Sequence, residues 1–184
     1  LATDVQRWAL AQGVAYLNDI QGFADAAFYP ELAKASAKLI VMHSVQARGK
    51  ATRVDVPPSQ VMDRIRRFFE SRIAGLTKAG VDRTRLILDP GMGFFLGSDP
   101  QTSLTVLRAL PALKAEFALP LLVSVSRKSF LRAIVGRKAG EAGAASLTAE
   151  LYAVLQGADF VRPHDPAALK DAVAVWREIS GRKA

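Results

Sequence analysis

Three short segments bring together side chains able to act on a small polar ligand. Asp89-Pro90-Gly91-Met92-Gly93-Phe94 sets a carboxylate ahead of a proline and two glycines. A carboxylate accepts two parallel N–H bonds in a fork, so a flat heterocycle with an amino-amide edge suits it, and the glycines let the backbone come close to such a ring. Ser124-Val125-Ser126-Arg127-Lys128-Ser129 passes into a helical pattern. Its hydroxyls, Lys128 and the free N–H groups of a helix start favour an anion or a carbonyl oxygen. Arg162-Pro163-His164 stands just before another helix start, where a guanidinium fork and an imidazole donor could seat a diphosphate. Each segment also has a plainer reading: a turn leaving a strand, a capped helix with a solvent lysine, a structural histidine. Asn18, beside Asp19, could bond a heterocycle edge, and Met42, beside His43, could pack on its face; a core or turn role explains each equally well. No metal ligand is assigned, because no His, Asp and Glu cluster has the spacing of an all-protein zinc site. There is also no GxxxxGK[ST] loop, and no GxGxxG follows a strand.

These residues need a scaffold, and the apolar runs supply one. Ala15 to Asn18, Lys38 to His43, Arg85 to Asp89, Leu121 to Ser126 and Asp159 to His164 are short and aliphatic, as buried parallel strands are. Helical patterns separate them. In Ser59 to Ala79, Val61, Ile65, Phe68, Ile73 and Leu76 form one stripe, with Ser59 as the expected cap after two prolines. Gly13, Gly80 and Gly157 lie between a helix and the next strand, where a left-handed residue is wanted. Asp165 and Pro166 read as N-cap and N1 of the last helix, Pro166 to Ile179. The fold class is therefore α/β with a parallel sheet. Every run ends in a polar residue, which favours a (β/α)8 barrel of the TIM type over an open sheet, since barrel strand ends converge on one mouth. Only five strand-helix units are present, so residues 1–184 are expected to form a single, incomplete barrel domain. The polar stretch Gln46 to Pro58 is a candidate mobile loop over the site.

Composition narrows the partners. The chain has 184 residues, half of them apolar, enough for one hydrophobic core. No apolar stretch approaches the ~20 residues of a membrane span, and a cytoplasmic protein is expected. The net charge of +8 comes largely from residues such as Arg64, Arg66, Arg67, Arg72 and Lys78, scattered on helices. That pattern reads as a solvated helix face, with neither nucleic acid nor membrane as partner. Without cysteine there is no thiolate metal site and no thiol nucleophile.

Taken in order, Leu17-Asn18-Asp19, Met42-His43, the DPGMGF run, the SRKS run and Arg162-x-His164 resemble the dihydropteroate synthase family over essentially the whole chain. The resemblance implies that the five units are strands 4 to 8 of a (β/α)8 barrel. It implies a transferase of folate biosynthesis that joins 6-hydroxymethyl-7,8-dihydropterin diphosphate to p-aminobenzoate and releases diphosphate. By position, Asn18, Met42, Asp89, Gly93 and Lys128 would hold the pterin, Phe94, Lys128 and Ser129 would face p-aminobenzoate, and Arg162 and His164 would line the diphosphate end. Lys128, Asp89, Arg162 and His164 would carry catalysis. The family uses magnesium, bound by an asparagine on a first strand that would precede Leu1, so the chain alone is expected to turn over little substrate. Phe95, Leu96 and Gly97, where the family commonly has glycine and lysine, resemble its plasmid-borne branch, which implies weak sulfonamide binding and drug resistance. Pro163 replaces a commoner threonine or valine. Open sheet edges invite association, and a homodimer is expected. A methyltetrahydrofolate-type methyltransferase domain, or a non-catalytic fragment completed by a partner, are the alternatives.

Overall fold

The aliphatic runs pair as parallel strands in the computed structural model, which describes residues 2–45 and 54–181. In chain order the elements are α1 (Thr3–Ala11), β1 (Tyr16–Asp19), α2 (Tyr29–Lys34), β2 (Lys38–Met42), α3 (Pro58–Lys78), β3 (Leu86–Asp89), α4 (Pro100–Arg108), α5 (Leu110–Phe117), β4 (Leu122–Val123), α6 (Ser129–Val135), α7 (Gly143–Leu155), β5 (Phe160–Val161) and α8 (Pro166–Ser180). Strand β2 lies between β1 and β3, pairing Leu17 with Leu39 and Met42 with Asp89. Strands β4 and β5 pair through Leu122–Phe160 and Val123–Val161. A bridge between Leu88 and Leu121, with Leu88 N–H donating to the Pro120 carbonyl at 2.9 Å, joins the two groups. The spatial order β1-β2-β3-β4-β5 has no reversal among the described strands. An open doubly wound sheet would need one, so this is the winding of an α/β barrel.

Period-two alternation gives the sheet two unlike faces. Leu17, Leu39, Val41, Leu86, Leu88, Leu121 and Val123 point towards the helices and join the main core with Val61, Ile65, Phe69 and Leu76 of α3. The opposite, concave face carries Ile40, Ile87, Leu122 and Phe160 as a small apolar floor. Asn18, Met42 and Asp89 share that face by register. Two expectations about α3 need correction. Phe69 takes the buried position, while Phe68 sits half-buried against the His43 ring. Ser59 lies inside the first turn, and the helix begins at Pro58 after Pro57 with no side-chain cap, since the proline lacks the N–H a cap would serve.

Fixed polar contacts hold the strand starts in place. Arg85 donates to the carbonyls of Ala37 and Leu32 at 2.8 and 3.0 Å, tying the end of α2 to the foot of β3. Asp159 accepts the Leu121 N–H at 2.8 Å and pairs with Lys114 at 2.7 Å, aligning β5 with β4. Gly13, Gly80 and Gly157 have positive φ, as their place between helix and strand predicted. Asp165 caps α8 through Ala168 N–H, with Pro166 in its first turn.

Candidate active site

The DPGMGF run leaves β3 through a turn that only glycine can make. Asp89 Oδ1 accepts the Gly91 N–H at 2.9 Å, closing the turn on its own carboxylate. Gly91 has φ +71°, and a Cβ there would press into the His43 carbonyl oxygen. Gly93, at φ +64°, donates its N–H to Ser103 Oγ at 2.9 Å. A Cβ at Gly93 would meet Lys128 and Ser129 at 3.3 Å, so the DPGMGF and SRKS loops are packed directly together.

That contact brings Asp89 and Lys128 into one electrostatic site. The Asp89 carboxyl, 2 % exposed, is pushed up to about 6 by burial, against the Gly91 N–H and the charges of Arg162 and Lys128, which pull it down. Burial lowers the Lys128 ammonium; Asp89 raises it and Arg162 lowers it further. The ammonium also rests 4.7 Å from the centre of the Phe95 ring, a cation–π contact. Asp89, Lys128 and Arg162 thus act on one another although 73 residues of sequence separate the first from the last. Met42 is buried one strand over from Asp89, and the Asn18 side-chain oxygen is buried with no hydrogen-bond partner, an acceptor left for a ligand. Neighbouring Asp19 points the other way and accepts the Phe23 N–H at 2.8 Å.

The residues expected to face p-aminobenzoate are more exposed. Phe94 is 44 % exposed and meets Phe95 edge-on at 6.3 Å, and Ser129 is exposed at the start of α6. His164 is placed differently from Arg162. Its N–H donates to Ser126 Oγ at 3.1 Å, and it lines a separate cavity of about 150 Å³ with Ser126, Ser146, Glu150 and Asp165. Arg162 therefore converges on Asp89, while His164 faces the space behind the SRKS turn. Residues 46–53 of the expected covering loop lie outside the described residues; beyond them Asp55 accepts from Ser98 N and Oγ, both at 2.7 Å, and so is tied to the loop after β3.

Two buried groups received no role from the sequence, His43 among them although it was noted at a strand end beside Met42. His43 is buried and donates Nδ1–H to the Pro90 carbonyl at 3.2 Å, which leaves Nε2 as an acceptor. Burial pushes its imidazole down to about 4, so it is neutral near pH 7. Glu150, 2 % exposed on α7, is the other. A single acid in the run GAASLTAELYAVL was the available signal. No group of three or more His, Asp or Glu side chains among the described residues could hold a metal ion. No described helix is long and apolar enough to cross a membrane.

The chain is similar to proteins of known structure. The family model described as pterin binding enzyme matches residues 1–164. Dihydropteroate synthase type-2 of Escherichia coli is 61 % identical over 170 residues, covering 92 % of this chain and 62 % of that protein. The chain thus spans about three fifths of that relative's length. Dihydropteroate synthase of Xanthomonas albilineans, solved with 4-aminobenzoic acid, superposes with a TM-score of 0.84 at 31 % identity, covering 98 % of this chain and 63 % of that one. The same enzyme solved with 7,8-dihydropteroate gives 0.84 at 30 % identity, covering 98 % and 65 %.

Proposed function

The chain belongs to the pterin-binding enzyme family, and from that premise we propose that it forms the substrate-holding arc of a dihydropteroate synthase. The observation that carries this reading is the buried Asp89 carboxyl set against Lys128 and Arg162 at adjoining strand ends. Near neutral pH Asp89 is ionised and accepts the two N–H groups on the pterin edge, Asn18 offers its free oxygen, and Met42 packs on the ring. Lys128 lies between pterin and aminobenzoate, with Phe94 and Ser129 at the aminobenzoate end. The amine nitrogen of p-aminobenzoate attacks the exocyclic methylene carbon of the pterin. The carbon–oxygen bond to diphosphate breaks, its electrons leave with the diphosphate, and the amine proton passes to solvent. An aromatic amine needs little activation, so the contribution asked of the protein is orientation and stabilisation of the departing charge. Arg162 meets that charge first, with His164 at its far side. The eight-unit barrel, the single-domain boundary 1–184 and a cytoplasmic setting belong to the same proposal.

Magnesium belongs to the same proposal and, when bound, would help neutralise the charge of the departing diphosphate beside Arg162. The 184-residue chain by itself is proposed to bind ligands with little turnover. Its apolar floor leaves Tyr16 48 % exposed beside Ile40, Ile87, Leu122 and Phe160. The Phe94–Phe95 pair beside Lys128 adds bulk where a sulfonamide would extend past the outline of a carboxylate, which supports sulfonamide insensitivity. A homodimer is included too, with exposed Ile134, Val135 and Tyr152 on the helix side as the apolar surface for a second copy.

The test is calorimetric titration with 6-hydroxymethylpterin and with p-aminobenzoate, separately and together with diphosphate and magnesium. Pterin should bind by itself, and p-aminobenzoate should bind more tightly once diphosphate is present. Absence of pterin binding under all these conditions would overturn the reading.

A further inference from the structure

Three consecutive residues of the turn that carries Asp89 are held by one residue of the neighbouring strand. The His43 N–H donates to the Asp89 carbonyl at 2.8 Å, continuing the ladder one step past the Met42–Asp89 pair. The ring Nδ1 lies 3.2 Å from the Pro90 carbonyl, which can only accept, so Nδ1 carries the proton. The His43 carbonyl oxygen abuts Gly91, where a Cβ would collide with it. Gly91 in turn donates its N–H to Asp89 Oδ1 at 2.9 Å. The two backbone contacts are open to any residue at position 43, whereas the ring contact needs a donor bonded to Cγ.

The imidazole is 4 % exposed and has a built seat. The Phe68 ring of α3 meets it at 5.2 Å and 73°, and the Arg72 guanidinium lies over that same phenyl ring at 5.3 Å. Phe68 also packs on Gly22 beyond the end of β1, where φ is +59° and a Cβ would press into the phenyl ring. His43 thus sits where the ends of β1, β2 and β3 meet. Burial, with the charge of Arg64 acting in the same direction, keeps the imidazole neutral near pH 7, so it has a single N–H and the Pro90 carbonyl takes it. A side chain that only filled the space would not need that proton.

We propose that His43 is a positioning residue for pterin binding: its Nδ1–H holds the Pro90 carbonyl and so fixes the turn that aims the Asp89 carboxylate at the ligand. The assignment rests on the reading that Asp89 receives the pterin edge. Its direct consequences, the tautomer and an ordered Gly91 amide, do not.

The test uses the full chain and the variants His43→Asn and His43→Leu. Asparagine places an amide N–H on Cγ, where the imidazole has Nδ1, whereas leucine offers bulk alone. Nitrogen-detected NMR of the parent near neutral pH should show Nδ1 protonated and Nε2 bare on His43. Exchange of the Gly91 amide should quicken about tenfold in His43→Leu and stay within about twofold of the parent in His43→Asn, as expected when a buried carbonyl loses its donor. Affinity for 6-hydroxymethylpterin, measured by calorimetry, should weaken about tenfold with leucine and be restored by asparagine, while inorganic diphosphate affinity stays within about twofold in both. A loss of packing alone would weaken both ligands together and would not be repaired by asparagine. A proton on Nε2 overturns the proposal, as does parent-like pterin binding or Gly91 exchange in His43→Leu. Should His43→Leu fail to fold, the tautomer and His43→Asn decide: parent-like pterin affinity in the asparagine variant upholds the role, and a loss of the size expected of leucine overturns it. If the parent chain binds no pterin, the function above loses its support while the tautomer and the Gly91 exchange still decide the role of His43.

Discussion

Replacing Asp89 by Asn should make the protein more stable and less able to bind pterin, and the gain should depend on pH with a defined sign. The carboxyl titrates near 6 when folded, against 3.8 for the ordinary group, because burial disfavours its charge more than Lys128, Arg162 and the Gly91 N–H favour it. A raised carboxyl means that the native state holds this proton more tightly than the unfolded chain. Native stability therefore falls as pH rises from about 4 to about 6, by about 3 kcal/mol in total. Asparagine keeps an oxygen for the Gly91 N–H and has no charge to bury. Its amide adds an unpaired donor costing about 1 kcal/mol, which leaves a net gain of about 2 kcal/mol at pH 7.5. Below pH 4 both side chains are neutral and the variant should be the less stable by about 1 kcal/mol. His43 runs in the opposite sense. Its lowered pKa gives stability that is present above about 6.5 and lost as pH falls towards 4, so in the parent the two groups largely cancel across this range. The variant should expose the His43 slope alone. Urea unfolding followed by circular dichroism at intervals from pH 4 to pH 8 measures all of this. A variant less stable at pH 7.5, or a difference that does not change with pH, would refute the argument that Asp89 is a strained, buried anion.

Pterin affinity in the parent should fall about tenfold per pH unit below 6, since the pterin edge needs the ionised Asp89; calorimetry in buffers of different ionisation enthalpy should show the matching proton release. Gly91→Ala forces a left-handed residue and drives a methyl group into the His43 carbonyl, and should cost about 3 kcal/mol in urea unfolding, with pterin binding lost even where the variant folds. Arg85→Ala strips the charged donors from the Leu32 and Ala37 carbonyls and should cost about 3 kcal/mol while leaving pterin affinity unchanged at 10 °C. Arg162→Ala should weaken inorganic diphosphate binding by about tenfold or more and move pterin affinity far less, which titration of each ligand separates.

The sequence made the strands and their polar ends readable, because a run such as Leu86–Asp89 is aliphatic throughout and stops on an acid before a proline. It also placed Asp89, Lys128 and Arg162 together, since parallel strands in sequential order put their ends side by side. The deeper face of α3 was misread by one position: Phe68 and Phe69 are adjacent and chemically alike, and only packing against Phe117 and the His43 ring assigns one to each environment. The backbone N–H of His164 donates to Ser126 Oγ, a link between positions 38 residues apart that local pattern cannot reveal. Glu150 went unnoticed for the same reason, as an acid on a helix is usually solvated and only tertiary packing buries this one.

The unreversed strand order also bears on how the chain reaches this state. Each described strand after β1 finds a hydrogen-bonding neighbour in the strand before it, so β2 can dock on β1 as soon as α2 has turned the chain. Growth of the sheet is then an accretion from one side, with short closures at each stage, a route that keeps half-made edges exposed only briefly on the ribosome.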